Sequence, residues 1–289
     1  MTELDFSYLK KVLKPRPYDA HKGSMGALLS ICGSYGMAGA QILSARSALK
    51  SGLGMLRLLT VDSVYPIVSS VVHEAVFLPE KASEKGTFSG ESIPAIAKNV
   101  KISDAVLVGC GLGVNSDTQE IVDYLVLNCG VPLLIDADGI NCLAKHIHLL
   151  KEKVCPVILT PHPGEMSRLT DLSVKEITSS PQKTAEDFSR EYGVTTVLKG
   201  ADTFITDGKT TFVSRAGNPG MATGGSGDVL AGVIGSLLCQ GYSPLEASAC
   251  GVFIHGTAGD FAKEDLGEAS MLPSDIINYL HKVFKIADN

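Results

Sequence analysis

The stretch Gly217-Asn-Pro-Gly-Met-Ala-Thr-Gly-Gly-Ser-Gly-Asp228 is a glycine run that ends in an acid and leads into an apolar segment. That segment predicts a long helix over 228–240. The unpaired N–H groups at a helix start suit an anion such as phosphate, and glycines let the chain approach it without a Cβ in the way. An aspartate placed there would repel the phosphate. Two readings account for Asp228. It is a favourable helix-start charge, worth about 0.3–1 kcal/mol, or a base beside a phosphoryl site that accepts a hydroxyl proton. The second reading is the working expectation.

Other candidates close the apolar runs of the chain. Asp136 and Asp138, in Ile135-Asp-Ala-Asp-Gly-Ile-Asn141, can help hold a hydrated Mg²⁺, or Asp138 can cap a helix. His162 is pinned between two prolines in Thr160-Pro-His-Pro-Gly-Glu165. Such a rigid placement suits a substrate contact, at a strand end expected to lie away from Lys199 and Gly227; a merely solvated histidine is the plainer reading. Glu165 is either a first-turn acid or a ligand to a metal-bound water. Lys199 opens Lys199-Gly-Ala-Asp-Thr203 and either meets a phosphate or ends a strand in solvent. His255, in an apolar helical stretch, reads as a core histidine. The loops Gly33-Ser-Tyr-Gly-Met-Ala-Gly39 and Gly109-Cys-Gly-Leu-Gly113 are tight turns or ligand loops. No G-x-x-x-x-G-K-[ST] sequence occurs, and the 109–113 loop does not complete G-x-G-x-x-G, which argues against a simple dinucleotide dehydrogenase.

Apolar runs alternating with amphipathic segments must position these residues. Runs at 27–32, 55–61, 105–108, 132–135, 157–159 and 195–198 read as parallel strands buried on both faces. Segments 40–50, 117–127, 181–192 and 228–240 read as crossover helices. The pattern predicts an α/β chain, with helices on both faces of one mostly parallel sheet. Segments 203–206 and 210–214, joined by Asp207-Gly208, predict a hairpin. Helices are expected at 244–263 and 274–284. Residues 1–20 read as an N-terminal helix and a proline-rich arm, and 21–289 as a single domain.

Composition narrows the classes. The 289 residues are 45% hydrophobic and 19% charged, enough to bury a substantial core and too apolar for disorder. Lys and Arg number 25 against 31 Asp and Glu, for a net charge of −6 and a pI of about 5.6. No nucleic-acid surface is expected from that balance. The seven cysteines form no C-x-x-C pair and read as reduced core thiols of a cytoplasmic protein. The polar first 14 residues hold no signal region, and the near-apolar run 229–239 is short of the roughly 20 residues of a membrane span. No membrane partner is expected.

Taken in order, several segments closely resemble the ADP/ATP-dependent NAD(P)H-hydrate dehydratases of the ribokinase-like superfamily. They are His21-Lys-Gly23, Gly33-Ser34 with Gly39-Ala40, Ser51-Gly-Leu-Gly54, Asp136-Ala-Asp138, Thr160-Pro-His-Pro-Gly-Glu165, Val197-Leu-Lys-Gly-Ala201, the long glycine motif and His255-Gly256. The resemblance covers about residues 20–285. It implies a ribokinase-like three-layer α/β sandwich and a repair enzyme for the 6-hydroxy hydrates of NADH and NADPH, which are useless as hydride donors. A nucleotide phosphorylates the hydroxyl, and elimination of phosphate restores the dihydronicotinamide ring.

Carried over residue by residue, the resemblance implies that Ala40, Gly111, His162 and Asp228 contact the hydrated dinucleotide. Lys199, Gly200, Ala201, Asp202, Thr203 and Gly227 would hold the nucleotide. Gly225, Ser226 and Gly227 would form an anion hole, and Asp228 would be the base. Mg²⁺ is expected, with Glu165 an outer-sphere partner. ADP, leaving AMP, is favoured over ATP as donor. The resemblance also implies a homotetramer. It implies a separate NAD(P)H-hydrate epimerase as functional partner, since residues 1–20 are too few for the epimerase domain that some relatives carry. Two positions depart from the family pattern: Cys110 stands where proline is usual, and Gly139 varies the DADALN sequence. A vitamin-precursor or sugar kinase of the same fold is the alternative enzyme. A non-enzymatic nucleotide sensor is the alternative binder, against which Asp228 argues, because a pure binder gains nothing from an acid aimed at a phosphate.

Overall fold

A computed structural model describes residues 1–288. Its strands are β1 (Thr2–Glu3), β2 (Ala27–Ile31), β3 (Met55–Val61), β4 (Val76–Glu80), β5 (Ala105–Val108), β6 (Leu133–Ile135), β7 (Val157–Leu159), β8 (Thr195–Leu198), β9 (Thr203–Thr206) and β10 (Thr211–Ser214). They form one sheet in the order β1-β10-β9-β8-β7-β6-β5-β2-β3-β4. All neighbours are parallel except β8–β9 and β9–β10. The four central strands β5, β6, β7 and β8 are buried at every position, which is why they read as unbroken apolar runs. The expected hairpin is β9–β10, with Gly208 at φ +85° in its turn. β4 lay outside the expectation. It is half exposed and holds Pro79, a residue tolerated on the edge strand that β4 is. β1 is also new: it pairs in parallel with β10 and ties residues 2–3 to the opposite edge.

The helices are α1 (Phe6–Val12), α2 (Ala38–Lys50), α3 (Tyr65–Ser69), α4 (Ile93–Val100), α5 (Ser116–Asn128), α6 (Asp138–Leu143), α7 (Pro163–Thr170), α8 (Val174–Ser179), α9 (Pro181–Tyr192), α10 (Ser226–Cys239), α11 (Pro244–Leu266) and α12 (Pro273–Ala287). Their starts carry local signals. Asn115 closes a capping box onto α5, and Ser243 with Glu246 does so on α11 beside Pro244. Gly193 stops α9 in the left-handed conformation at φ +62°. α2, α10, α11 and α12 pack together over one face. The β5-α5-β6 crossover advances along the sheet in the opposite sense from β2-α2-β3, so right-handed connection places α5 on the other face.

That reversal falls between β2 and β5, which are adjacent. In open parallel sheets a crevice for ligands forms at such a switch point, beyond the carboxyl ends of the strands. The seven cysteines are free and buried. Among the described residues, no helix is long and apolar enough to cross a membrane.

Candidate active site

Five strand ends open onto one end of the sheet. β2 runs into the 33–39 loop, β5 into the 109–113 loop, β6 into Asp136, β7 into Thr160 and β8 into Lys199. Asp136 is the hub. It is 1% exposed, and its Oδ1 accepts from Thr160 Oγ1 at 2.6 Å and from Lys199 Nζ at 3.1 Å. Its Oδ2 accepts from the Cys110 thiol at 3.7 Å. The next residue, Ala137, has φ +48° and ψ −117°, a strained conformation for a residue with a Cβ. Asp138 is therefore no helix cap. Its Oδ2 instead accepts the Gly113 N–H at 2.9 Å and staples the 109–113 loop to the start of α6.

Lys199 is no solvated strand end. Its Nζ lies 3.1 Å from Asp136 and 3.7 Å from Glu165. Burial pushes its pKa down, but the two carboxylates outweigh burial and hold it above the ordinary lysine value. Glu165 is buried, and its Oε2 accepts the His162 N–H at 2.8 Å. In return His162 Nδ1 accepts from the N–H groups of Gly164 and Glu165 at 3.0 and 3.2 Å. His162 thus caps α7, with Nε2 3.5 Å from Glu165 Oε1. The expectation that His162 lies away from Lys199 fails here. β7 and β8 are neighbours, and Glu165 joins the two residues.

The glycine motif arrives from the opposite side. α10 begins at Ser226, so Asp228 is its third residue rather than its first, and Gly225 at φ +103° is the cap. Gly227 lies within the helix, and it is Gly225, not Gly227, that adopts a positive φ. A Cβ on Gly227 would sit 3.5 Å from Lys199 Nζ and 3.9 Å from Asp136 Oδ2. The first turn of α10 therefore faces the lysine and the hub carboxylate across a narrow gap, and the N–H groups of such a turn lack an i−4 carbonyl. Ser226 Oγ meets His255 Nε2 at 3.4 Å. His255 is a core histidine, held neutral by burial with its pKa pushed down to about 4, and it also touches Ser226 at the start of α10.

Asp228 has the perturbation a base needs. Burial first, then the Asp136 carboxylate, lifts its pKa from 3.8 to about 6, against the opposing pull of the Cys110 thiol and Lys199. It is ionised at neutral pH and still basic enough to take a proton. Cys110 itself stays a thiol, its pKa raised by hydrogen bonding to Cys32 and by burial. Its Sγ and carboxylate oxygens of Asp136 and Asp228 all lie within 4.8 Å of one another.

The remaining candidates fall in two places, Ala40 and Gly111 at the switch point between β2 and β5 and the turn of Gly200, Ala201 and Asp202 beyond β8. Gly111, at φ +62°, lies against α2: a Cβ there would be 2.9 Å from the Ala40 Cβ and 3.0 Å from the Met37 Cβ. Ala40 and Gly111 are thus brought together. Gly200, Ala201 and Asp202 form an exposed turn beyond β8, closed by Thr203 Oγ1 donating to Gly200 O at 3.2 Å. Thr160 and Cys110 were not expected to touch the site. Thr160 sits within a motif singled out for its histidine, and Cys110 looked like a core thiol. A cavity of about 520 Å³ lies elsewhere, lined by Lys50, Gln240 and Lys285 at or near the C-terminal ends of α2, α10 and α12, at the opposite end of the sheet.

A single, mostly parallel sheet between helical layers, with a glycine-rich helix start facing an acid and a lysine at the strand ends, defines a ribokinase-like α/β protein. The chain belongs to the NAD(P)H-hydrate dehydratase family, whose model matches residues 28–282. It is 39% identical over 275 residues to the bifunctional NAD(P)H-hydrate repair enzyme Nnr of Thermofilum pendens, covering 94% of this chain and 52% of that protein. It is 34% identical to the ADP-dependent (S)-NAD(P)H-hydrate dehydratase of Neisseria meningitidis, covering 90% and 85%. The solved structure of the Bacillus subtilis ADP/ATP-dependent NAD(P)H-hydrate dehydratase, co-crystallised with ATP and Mg²⁺, superimposes with a TM-score of 0.84 at 28% identity over 98% of each chain. The chain spans about half the length of the bifunctional relatives it matches.

Proposed function

We propose that this chain dehydrates the 6-hydroxy hydrates of NADH and NADPH in a reaction driven by ADP. The observation that carries the reading is Asp228: a half-buried carboxylate lifted to about 6, one residue from a glycine that faces Lys199 and Asp136. In this reading the hydrate lies along the switch-point crevice on Ala40 and Gly111, with His162 at its edge. Asp228 takes the proton of the hydroxyl as that oxygen attacks the terminal phosphorus of ADP. The bond to the leaving phosphate breaks and AMP departs. The N–H groups at the start of α10, of the cap Gly225 and of Ser226 and Gly227, offset the charge that develops on the transferred group. Lys199 and the turn from Gly200 to Thr203 orient the donor. The phosphate ester then breaks at its carbon–oxygen bond. The ring loses a proton from the adjacent carbon, and inorganic phosphate leaves with the dihydropyridine restored.

The donor set suits a hard cation acting through water. Both Glu165 oxygens face partners, His162 and Lys199, so Glu165 would hold Mg²⁺ only through a bound water, and Asp136 Oδ2 is the other oxygen directed at the gap. Bound there, Mg²⁺ would neutralise phosphate charge. The resemblance further supports a homotetramer working in the cytoplasm alongside a separate NAD(P)H-hydrate epimerase.

Two outcomes follow from the site. The kcat/KM for the hydrate should fall about tenfold per pH unit below about 6, because protonated Asp228 cannot accept the hydroxyl proton; a flat profile down to pH 5 would remove Asp228 as the base. His162→Ala should raise KM for the hydrate by roughly fivefold or more while KM for ADP stays within about twofold. Unchanged hydrate kinetics would take His162 out of the substrate site. The activity is tested by incubating the protein with NADH hydrate and Mg²⁺, with ADP and ATP in parallel. ADP should be turned over to AMP with loss of the hydrate. A stable phosphorylated hydrate, or none consumed with either donor, would favour the kinase alternative.

A further inference from the structure

Tyr35 is an aromatic side chain 76% exposed on a loop that has little freedom to move. The loop is clamped from several sides. Gly33 N–H donates to Cys110 O, Ser34 Oγ to Gly111 O and Met37 N–H to Ser34 O, each at 2.8 Å. Tyr35 N–H donates to Gly86 O at 2.8 Å, and a Cβ on Gly86 would lie 2.5 Å from the Tyr35 Cβ. Gly86 belongs to a turn closed by the Ala82–Phe88 bridge, whose Thr87 Oγ1 accepts from Asn115 Nδ2 at 2.9 Å. Backbone on both sides thus fixes the root of the ring while its faces stay in solvent. Two more apolar side chains are exposed nearby in the chain or the fold: Met37, 47% exposed on the same loop, and Val114, 45% exposed, next to Gly113, where a Cβ would lie 3.8 Å from Ser34 Oγ. An exposed aromatic on a rigid loop at a switch point is the usual build of a ligand contact.

The position also selects which ring it meets. The reacting ring must reach Asp228, half-buried at the start of α10, whereas Tyr35 stands exposed on the loop after β2. The ADP side is far away: from β8, which ends in Lys199, to β2 the sheet steps across four strand spacings, about 19 Å. We propose that Tyr35, held by the Gly86 turn, is the stacking face for the adenine of the dinucleotide hydrate. This makes it a determinant of preference for dinucleotide over mononucleotide substrates. The proposal rests on the reading of the crevice as the hydrate site.

The test compares wild type, Tyr35→Ala and Tyr35→Phe on NADH hydrate and on the hydrate of reduced nicotinamide mononucleotide, which lacks the adenosine half, at saturating ADP. Tyr35→Ala should lose roughly tenfold in kcat/KM on the dinucleotide, chiefly through KM. It should stay within about twofold on the mononucleotide and keep its KM for ADP, while Tyr35→Phe behaves as wild type. Equal loss on both substrates, no loss on either, or a changed oligomeric mass in Tyr35→Ala would overturn the assignment. Fluorescence titration with NADH and with the reduced mononucleotide gives a readout free of turnover. If wild type dehydrates neither hydrate, the proposed activity fails. The stacking assignment then stands or falls on whether Tyr35→Ala weakens NADH alone.

Discussion

Asp228→Asn should give a folded, ADP-binding protein that dehydrates NADH hydrate roughly 10²–10⁴-fold more slowly than wild type. The amide keeps the size of the side chain but cannot take the hydroxyl proton. ADP affinity should hold or rise, because a negative charge beside the phosphates is gone. Stability should rise as well. A carboxyl lifted from 3.8 to about 6 by burial and by Asp136 costs the folded state about 3 kcal/mol when ionised at pH 7. The folded state holds that proton more tightly than the unfolded chain does between pH 4 and 6, so wild-type stability falls as pH rises through that window and then levels. The asparagine variant lacks the fall. Its melting temperature at pH 7 should exceed that of wild type by a few degrees, with the two converging near pH 4. A helix-start charge without a catalytic role predicts the reverse on both counts: near-normal turnover and no gain in stability.

Gly227→Val should abolish measurable turnover, a loss of at least about 10²-fold, in a protein that still folds. Its backbone is helical and not at positive φ, and valine is no worse a helix former than glycine. The space the side chain would enter is the gap itself, 3.5 Å from Lys199 Nζ and 3.9 Å from Asp136 Oδ2 at the first carbon alone. Two further methyl groups would displace a phosphoryl group or part Lys199 from its carboxylates. Gly227→Ala should lose less, since only the first carbon is added. Circular dichroism and ADP titration establish that the variant folds and show whether the donor still enters. Turnover within about fivefold of wild type would place the phosphoryl site elsewhere.

The central strands were readable because β5 to β8 are buried at every position, and burial on both faces leaves an unbroken apolar run. The helices were readable where a proline or a capping residue marks the start, as at Pro181 and Ser243. β4 was not, because an edge strand with Pro79 and no fully buried position shows neither pattern. The two-residue β1 is too short to have one.

The site divides in the same way. Asp228 and its glycines form a contiguous signal, and so do Lys199 and the residues from Thr160 to Glu165. What sequence cannot carry is which strand ends face each other. Lys199 and Asp136 meet across 63 residues, and Thr160 reaches Asp136 across 24, only because β6, β7 and β8 are neighbours. Cys110 sits in a glycine loop just after an apolar run and is buried, as a core thiol would be. Its approach to Asp136 and Asp228 depends on β5 and β6 being neighbours, which brings the 109–113 loop beside Asp136 at one end of the sheet.

The central claim, phosphorylation at the hydroxyl followed by loss of phosphate, is tested most directly by a product balance on one reaction. NADH hydrate, ADP and Mg²⁺ are incubated with the protein while the absorbance band of NADH is followed and phosphorus species are counted by ³¹P NMR. The account predicts one AMP and one inorganic phosphate for each NADH restored. Recovery of NADH without nucleotide turnover, or ADP consumed with phosphate retained on the ring, would contradict it.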